Sequence, residues 1–377
     1  MTNRERYVRL MRGEPVDRAP FFSIFGPWGA TIDRWKTEGL AEDATWETIM
    51  ELVGFEGHRG YQLPVNGFLC PGFEWQVLEE SEDRRVVIDH FGVKQEERKD
   101  RGSMPTFLSF PVASRADWEQ VKWRLDPEAP GRLPANWDEV CRAGRDSGDP
   151  VFVGDLPIGF FGGPRQLIGY ENLAFMLHDD PALLEEILDT LCDLWIALYT
   201  RVHRDAPLDY FFVWEDMCFK TGPLLSPDAF RGFLLPRYRR LTTALREAGV
   251  DIIMVDSDGD VRQLVPLWLE GGVTLVFPWE TQMGLDITEV RRRYPTLQMV
   301  GGLNKAVLAH DRAAMDRELE KVAWMLQQGR YLPAVDHFVP PDVSWDNYRY
   351  FYERLRELVR QHPPRPAPWR QGASRRE

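Results

Sequence analysis

Cysteine is scarce in this chain of 377 residues: four, at positions 70, 141, 192 and 218, and no two form a CxxC pair. That spacing supports neither a disulfide framework nor a zinc ribbon. Long apolar runs are missing as well. None approaches the roughly 18 residues that read as a membrane span. Positive charge is in deficit, with 46 Lys and Arg against 59 Asp and Glu, a net charge of −13. That balance excludes nucleic acid as the main partner. No GxGxxG or Walker pattern occurs, and a lone Gly301-Gly302 pair is weak evidence for a phosphate loop. No signal-peptide pattern precedes the first helix, so a cytoplasmic protein with reduced thiols is expected. What is present is ordinary globular material, 44% hydrophobic and 28% charged, long enough to bury a large core. The basic, proline-containing end is expected to be a disordered tail over 363–377, leaving 1–362 as a single domain.

Along the chain, a first amphipathic helix is expected at Asn3–Arg12 and a first strand at Pro20–Gly26. Helical patterns follow near Ile32–Glu38 and Thr45–Val53, then a strand near Gly54–Tyr61. Residues 73–98 alternate polar and apolar with short turns, which predicts an inserted antiparallel β-meander with one wet face. From Val151 onward, strand and helix alternate six times. The strands are Val151–Asp155, Tyr210–Trp214, Ile252–Val255, Val273–Phe277, Leu297–Val300 and Leu332–Val335. Ser226-Pro227 reads as an N-cap with proline in the first turn. With the two early strands the count is eight, and closure into a (β/α)8 TIM barrel leaves no open sheet edge.

Polar residues recur where these strands end: Asp155, Glu215, Asp216, Asp256, Asp258, Glu280, Asn304, Lys305, Asp336 and His337. A parallel barrel places all of them on its C-terminal face. The densest stretch is Ile252–Asp260, where Asp256, Asp258 and Asp260 crowd around Gly259. Asp256 and Asp258, with His337, form a donor set for a hard or borderline divalent metal, zinc or another. A tight Asp-Gly turn whose acids cap the next helix, expected from about Val261 to Glu270, is the competing reading. Glu215, Asp216 and Glu280 are candidate acids or bases. Asp155, Asn304, Lys305 and Asp336 are candidate substrate contacts. Cys218 reads as an inert buried thiol.

The segments Arg4–Pro20, Gly222–Pro236 and Asp336–Asn347 resemble three signatures of the uroporphyrinogen decarboxylase superfamily, in the right order. The resemblance implies a (β/α)8 barrel with a cleft at the strand carboxyl ends. True decarboxylases of that family carry an "RQAGR" segment whose arginines bind substrate carboxylates. Here that place reads Phe25-Gly-Pro-Trp-Gly-Ala30, without arginine. Nor does their essential aspartate have a clear match around Tyr61–Pro64, and the cleft is expected to be acidic. The family's corrinoid-dependent methyltransferases bind zinc through "HxCG" and a later cysteine. Asp256-Ser-Asp-Gly259 occupies the first place and His337 the second.

The resemblance therefore implies a methyltransferase or demethylase acting on a small methylated substrate, with a corrinoid (cobalamin) on a partner protein. Carboxylate ligands in place of thiolates suit an O-methyl or N-methyl donor better than a thiol. A decarboxylase or lyase on another small acid is the alternative, and a non-catalytic binding barrel a third. Homodimers are compatible with either enzyme.

Overall fold

The computed structural model describes residues 1–99 and 104–365. Strand β1 (Tyr61–Gln62) comes first. A separate antiparallel sheet follows: β2 (Gln76–Glu80), β3 (Arg84–Ile88), β4 (Lys94–Arg98) and β5 (Thr106–Ser109). Then come β6 (Val151–Gly154), β7 (Tyr210–Trp214) and a two-stranded ribbon, β8 (Cys218–Phe219) with β9 (Gly222–Pro223). The chain ends with β10 (Ile253–Asp256), β11 (Leu275–Phe277), β12 (Gln298–Leu303) and β13 (Tyr331–Val335). Seven strands form one parallel sheet in chain order, β1-β6-β7-β10-β11-β12-β13. Parallel neighbours need crossovers, and helices supply them. Strands β7, β11 and β13 are apolar throughout because both of their faces are covered.

Register fixes which side chains meet. Asp256 of β10 pairs with Trp214 of β7 and with Phe277 of β11, and Met254 pairs with Phe212. Residues in register share one face of a parallel pair. Phe212, Trp214, Asp256 and Phe277 therefore line a common surface.

Helix Asn3–Arg12 begins with a Thr2–Glu5 capping box and ends at left-handed Gly13. It buries Tyr7, whose ring lies 5.4 Å from Tyr210, the first residue of β7. The helix thereby covers the amino end of the strands. The long helix Pro181–Asp205 starts at Asp180, whose carboxylate accepts the Leu183 N–H, with proline in the first turn. It packs on helix Leu235–Ala248, where Arg237 holds Asp189 at 2.7 Å. Among the described residues no helix is long and apolar enough to cross a membrane.

The structure departs from expectation in four places. The segment Pro20–Gly26 forms no strand. It makes single bridges instead, Phe22 with Gly57 ahead of β1 and Pro27 with Val339 beyond β13. The Ser23 and Trp28 amides donate to Gly57 and Val339. Pro20 and Pro27 have no amide hydrogen, which cuts a ladder short at both ends. The early strand near Gly54–Tyr61 is reduced to Tyr61–Gln62. The meander gains a fourth strand, β5, beyond the expected 73–98. Its third strand starts at Lys94 because the Asp89 carboxylate accepts from the amides of Phe91 and Val93 and holds a turn there. The helix after β10 starts at Val265, not Val261. Of the expected tail, residues 366–377 lie outside the described residues.

Candidate active site at the strand carboxyl ends

Four non-glycine residues among those described have left-handed φ, and three follow parallel strands directly or nearly so. They are Asp155 (92°) after β6, Asp216 (44°) after β7 and Trp279 (64°) after β11. Such backbone costs about 1–3 kcal/mol per residue and tends to persist where it positions a site.

At the same end of the sheet, Asp258, Glu280 and His337 converge, with one donor atom from each within 4.8 Å of the others. His337 Nε2 lies 3.2 Å from Asp258 Oδ2. The loop after β10 brings Asp258, the loop after β11 brings Glu280, and the exit of β13 brings His337. Gly259 ties two of these loops together, its N–H donating to Glu280 Oε2 at 2.9 Å. Glycine is required there. Its φ is +81°, and a Cβ would lie 2.7 Å from the Cys218 carbonyl carbon. The His337 ring stacks on Phe25, 5.0 Å between centroids and 19° between planes. Phe338 meets it edge-on. Burial raises the Glu280 carboxyl above its ordinary range and Asp258 adds to the rise, while the Gly259 N–H, His337 and Lys305 oppose it. The side chains of His337 and Asp258 are 23% and 36% exposed, so the cluster is open to solutes.

Asp256 stands beside this group but is not part of it. It keeps some exposed surface yet lies deep among protein atoms. Burial, then the charge of Asp258, raises its carboxyl well above the ordinary range, and Arg59 opposes the rise. Asp216 is held by Arg165 at 2.9 Å, and Arg165 stacks 4.7 Å over Trp214. Asp155 Oδ2 faces Arg59 at 3.4 Å while its Oδ1 accepts the Leu156 N–H at 2.8 Å.

Other strand-end residues are turned inward as struts. Glu215 is fully buried. Its oxygens accept from the amides of Phe160, Phe161 and Gly162 at 2.9, 2.6 and 2.9 Å, and from the Tyr238 hydroxyl. Burial raises its carboxyl and all four donors counter the rise. Asp336, 1% exposed, accepts from the Thr281 amide and hydroxyl and from the Lys305 amide, joining three loops. Asn304 caps the short helix Lys305–Ala309 by accepting the Ala306 N–H. Cys218 is buried, and burial pushes its thiol up to about 12.

Two features were not foreseen. Arg59, two residues before β1, puts a cation into a cleft expected to be acidic. It lies 5.7 Å over the Phe212 ring. The second is an aromatic floor. Phe212 lies 6.4 Å from Phe277, Phe277 5.1 Å from Phe25, and Phe25 5.0 Å from His337. Arg59 carries no local pattern at all.

The family model described as "Uroporphyrinogen decarboxylase (URO-D)" matches residues 82–358. The chain belongs to the uroporphyrinogen decarboxylase family. Its similarity to curated members is low but long. It is 28% identical to the uroporphyrinogen decarboxylase of Nocardia farcinica over 61% of this chain and 63% of that one. It is 25% identical to that of Hydrogenovibrio crunogenus over 94% of this chain and 97% of the other. Among solved structures, a methyltransferase from Methanosarcina mazei shares the fold at a TM-score of 0.59 and 15% identity, covering 95% of this chain and 99% of that one. Within the uroporphyrinogen decarboxylase family this chain is thus a divergent member.

Proposed function

We propose that this chain is a methyltransferase that takes a methyl group from a small methylated substrate and delivers it to a corrinoid on a partner protein. One observation carries the reading: the convergence of Asp258, Glu280 and His337 within 4.8 Å at the strand carboxyl ends. Two carboxylates and an imidazole suit zinc or another borderline divalent ion. Bonds of about 2.0–2.2 Å to a tetrahedral ion put ligand atoms roughly 3.4 Å apart, close to the 3.2 Å between His337 and Asp258. The full-length likeness to a methyltransferase fold is in keeping with this reading. In the same reading, residues 21–28 are the remaining stave of an eight-membered barrel, since they bridge to both ends of the sheet.

A methyl–heteroatom bond breaks only when the departing heteroatom is stabilised. An ion held by the three residues would act there as a Lewis acid. The corrinoid would supply the nucleophile that accepts the methyl group. Burial and the charge of Asp258 raise the Asp256 carboxyl well above its ordinary range, which suits it to give a proton to the heteroatom as the bond to carbon breaks, with solvent restoring that proton. Arg165 fixes Asp216 at 2.9 Å. Phe25 fixes the His337 ring by stacking.

The test is anaerobic methyl transfer to cob(I)alamin from a panel of methyl ethers, thioethers and methylamines, with zinc added. His337→Ala is expected to slow transfer by ~10²–10⁴-fold with the fold intact. Absence of transfer across the panel by wild-type protein would sink the reading. A decarboxylase acting on another small acid then takes precedence, and Arg59, a cation in the cleft, favours it.

A further inference from the structure

Arg59 stands in this cleft with little of its guanidinium bound, its side chain 22% exposed. Arg132, by contrast, is buried and donates to four backbone carbonyls, those of Asn66, Phe68, Arg124 and Asp126. Arg165 makes two short bonds to Asp216. A guanidinium has five N–H donors. Arg59 engages one of them, Nη1, with Asp155 Oδ2 at 3.4 Å. A short charge-assisted bond measures about 2.7–2.9 Å. The Arg59 Nε is sealed from solvent with no partner. Asp155 is not free to close on the fork. Its backbone is in the left-handed region at φ 92° and its other oxygen is taken by the Leu156 N–H.

We infer that Arg59 anchors the carboxylate of an acidic substrate, whose reacting end lies across the Phe212–Phe277–Phe25 floor toward Asp258, Glu280 and His337. This rests on the placement of the active site proposed above and names the class of substrate. The floor links the two ends by ring contacts: Arg59 over Phe212, Phe212 to Phe277, Phe277 to Phe25, Phe25 to His337. An apolar or cationic spacer suits such a surface. A planar carboxylate can take the Nη end of the fork, where no protein acceptor among the described residues meets Nη2. A doubly charged phosphate fits less well, because Asp155 stands beside the fork.

The experiment is calorimetric titration of the purified full chain with two matched pairs. One is para-methoxybenzoate against para-methoxybenzyl alcohol. The other is glycine betaine against choline. In at least one pair the acid is expected to bind more tightly by on the order of 10- to 100-fold, the worth of a charge-assisted pair. Arg59→Met should abolish that preference. Arg59→Lys, which keeps the charge without the fork, should retain part of it and guards against a folding defect in the first variant. Equal binding within both pairs by wild-type protein, including no binding at all, overturns the proposal. So does an Arg59→Met protein that keeps the preference. These titrations need neither corrinoid nor turnover. An acid preference without methyl transfer would therefore leave the anchor standing and remove only the methyl-transfer reading.

Discussion

Glu215 and Asp256 touch through their backbones, the Glu215 N–H donating to the Asp256 carbonyl at 2.9 Å, yet their carboxyl groups do opposite work. Glu215 is spent on four donors, whereas no side-chain hydrogen bond to Asp256 occurs among the described residues. Glu215→Gln turns an amide hydrogen pair toward those donors and should cost about 2–3 kcal/mol, read as a lower urea midpoint. Lost methyl transfer with an unchanged midpoint would instead make Glu215 a chemical group. For Asp256 the expected sign is reversed. Its folded-state pKa is raised above the ordinary 3.8. The native state thus holds a proton that the unfolded chain has released, and this group's contribution to stability falls as pH rises above the ordinary value. Asp256→Asn should therefore raise the urea midpoint at pH 8 and leave it nearly unchanged at pH values below about 4. Equal shifts at both pH values would refute that. Asp258, Glu280 and His337 were legible as strand-end polar residues, but which three would meet was not. That choice depends on loop paths that span dozens of residues. Arg59 was illegible because a single cation between His58 and Gly60 has neither period nor motif.

The loop after β10 shows how one element sets the geometry of another. Gly259 holds Glu280 through its N–H and leaves no room for a Cβ against the Cys218 backbone. Gly259→Ala should lower stability by more than about 1 kcal/mol, and it should also weaken zinc binding in a competition titration. A loss of stability with unchanged zinc affinity would uncouple the loop from the cluster. Helices were the most legible elements because their ends carry chemistry: the Thr2–Glu5 box, Asp180 before Pro181, Ser226 before Pro227. The short early strands were not. Two residues at Tyr61–Gln62 and single bridges at Phe22 and Pro27 are too brief for alternation to show.

On the scale of the whole molecule, a ligand shared by three loops stabilises everything those loops join. Zinc at about 100 times its dissociation constant should add ~2.7 kcal/mol of stability. The rise in melting temperature should reverse with a chelator and be absent in His337→Ala. A rise that persists in that variant would place the ion elsewhere. The alternation from Val151 onward made the parallel sheet readable, because each strand–helix unit is local, whereas the single bridges of Phe22 and Pro27 to Gly57 and Val339 are not. Those bridges have a consequence for how the protein is made. Phe25, which carries the His337 ring, and Pro27, which bridges to Val339, leave the ribosome some 310 residues before their partners. At roughly 5–20 residues per second, translation keeps them waiting for about 15–60 s. Through that interval Phe25 and its neighbours are exposed to chaperones and proteases. A nascent chain cut short before His337 would carry most of the sheet and no complete cleft.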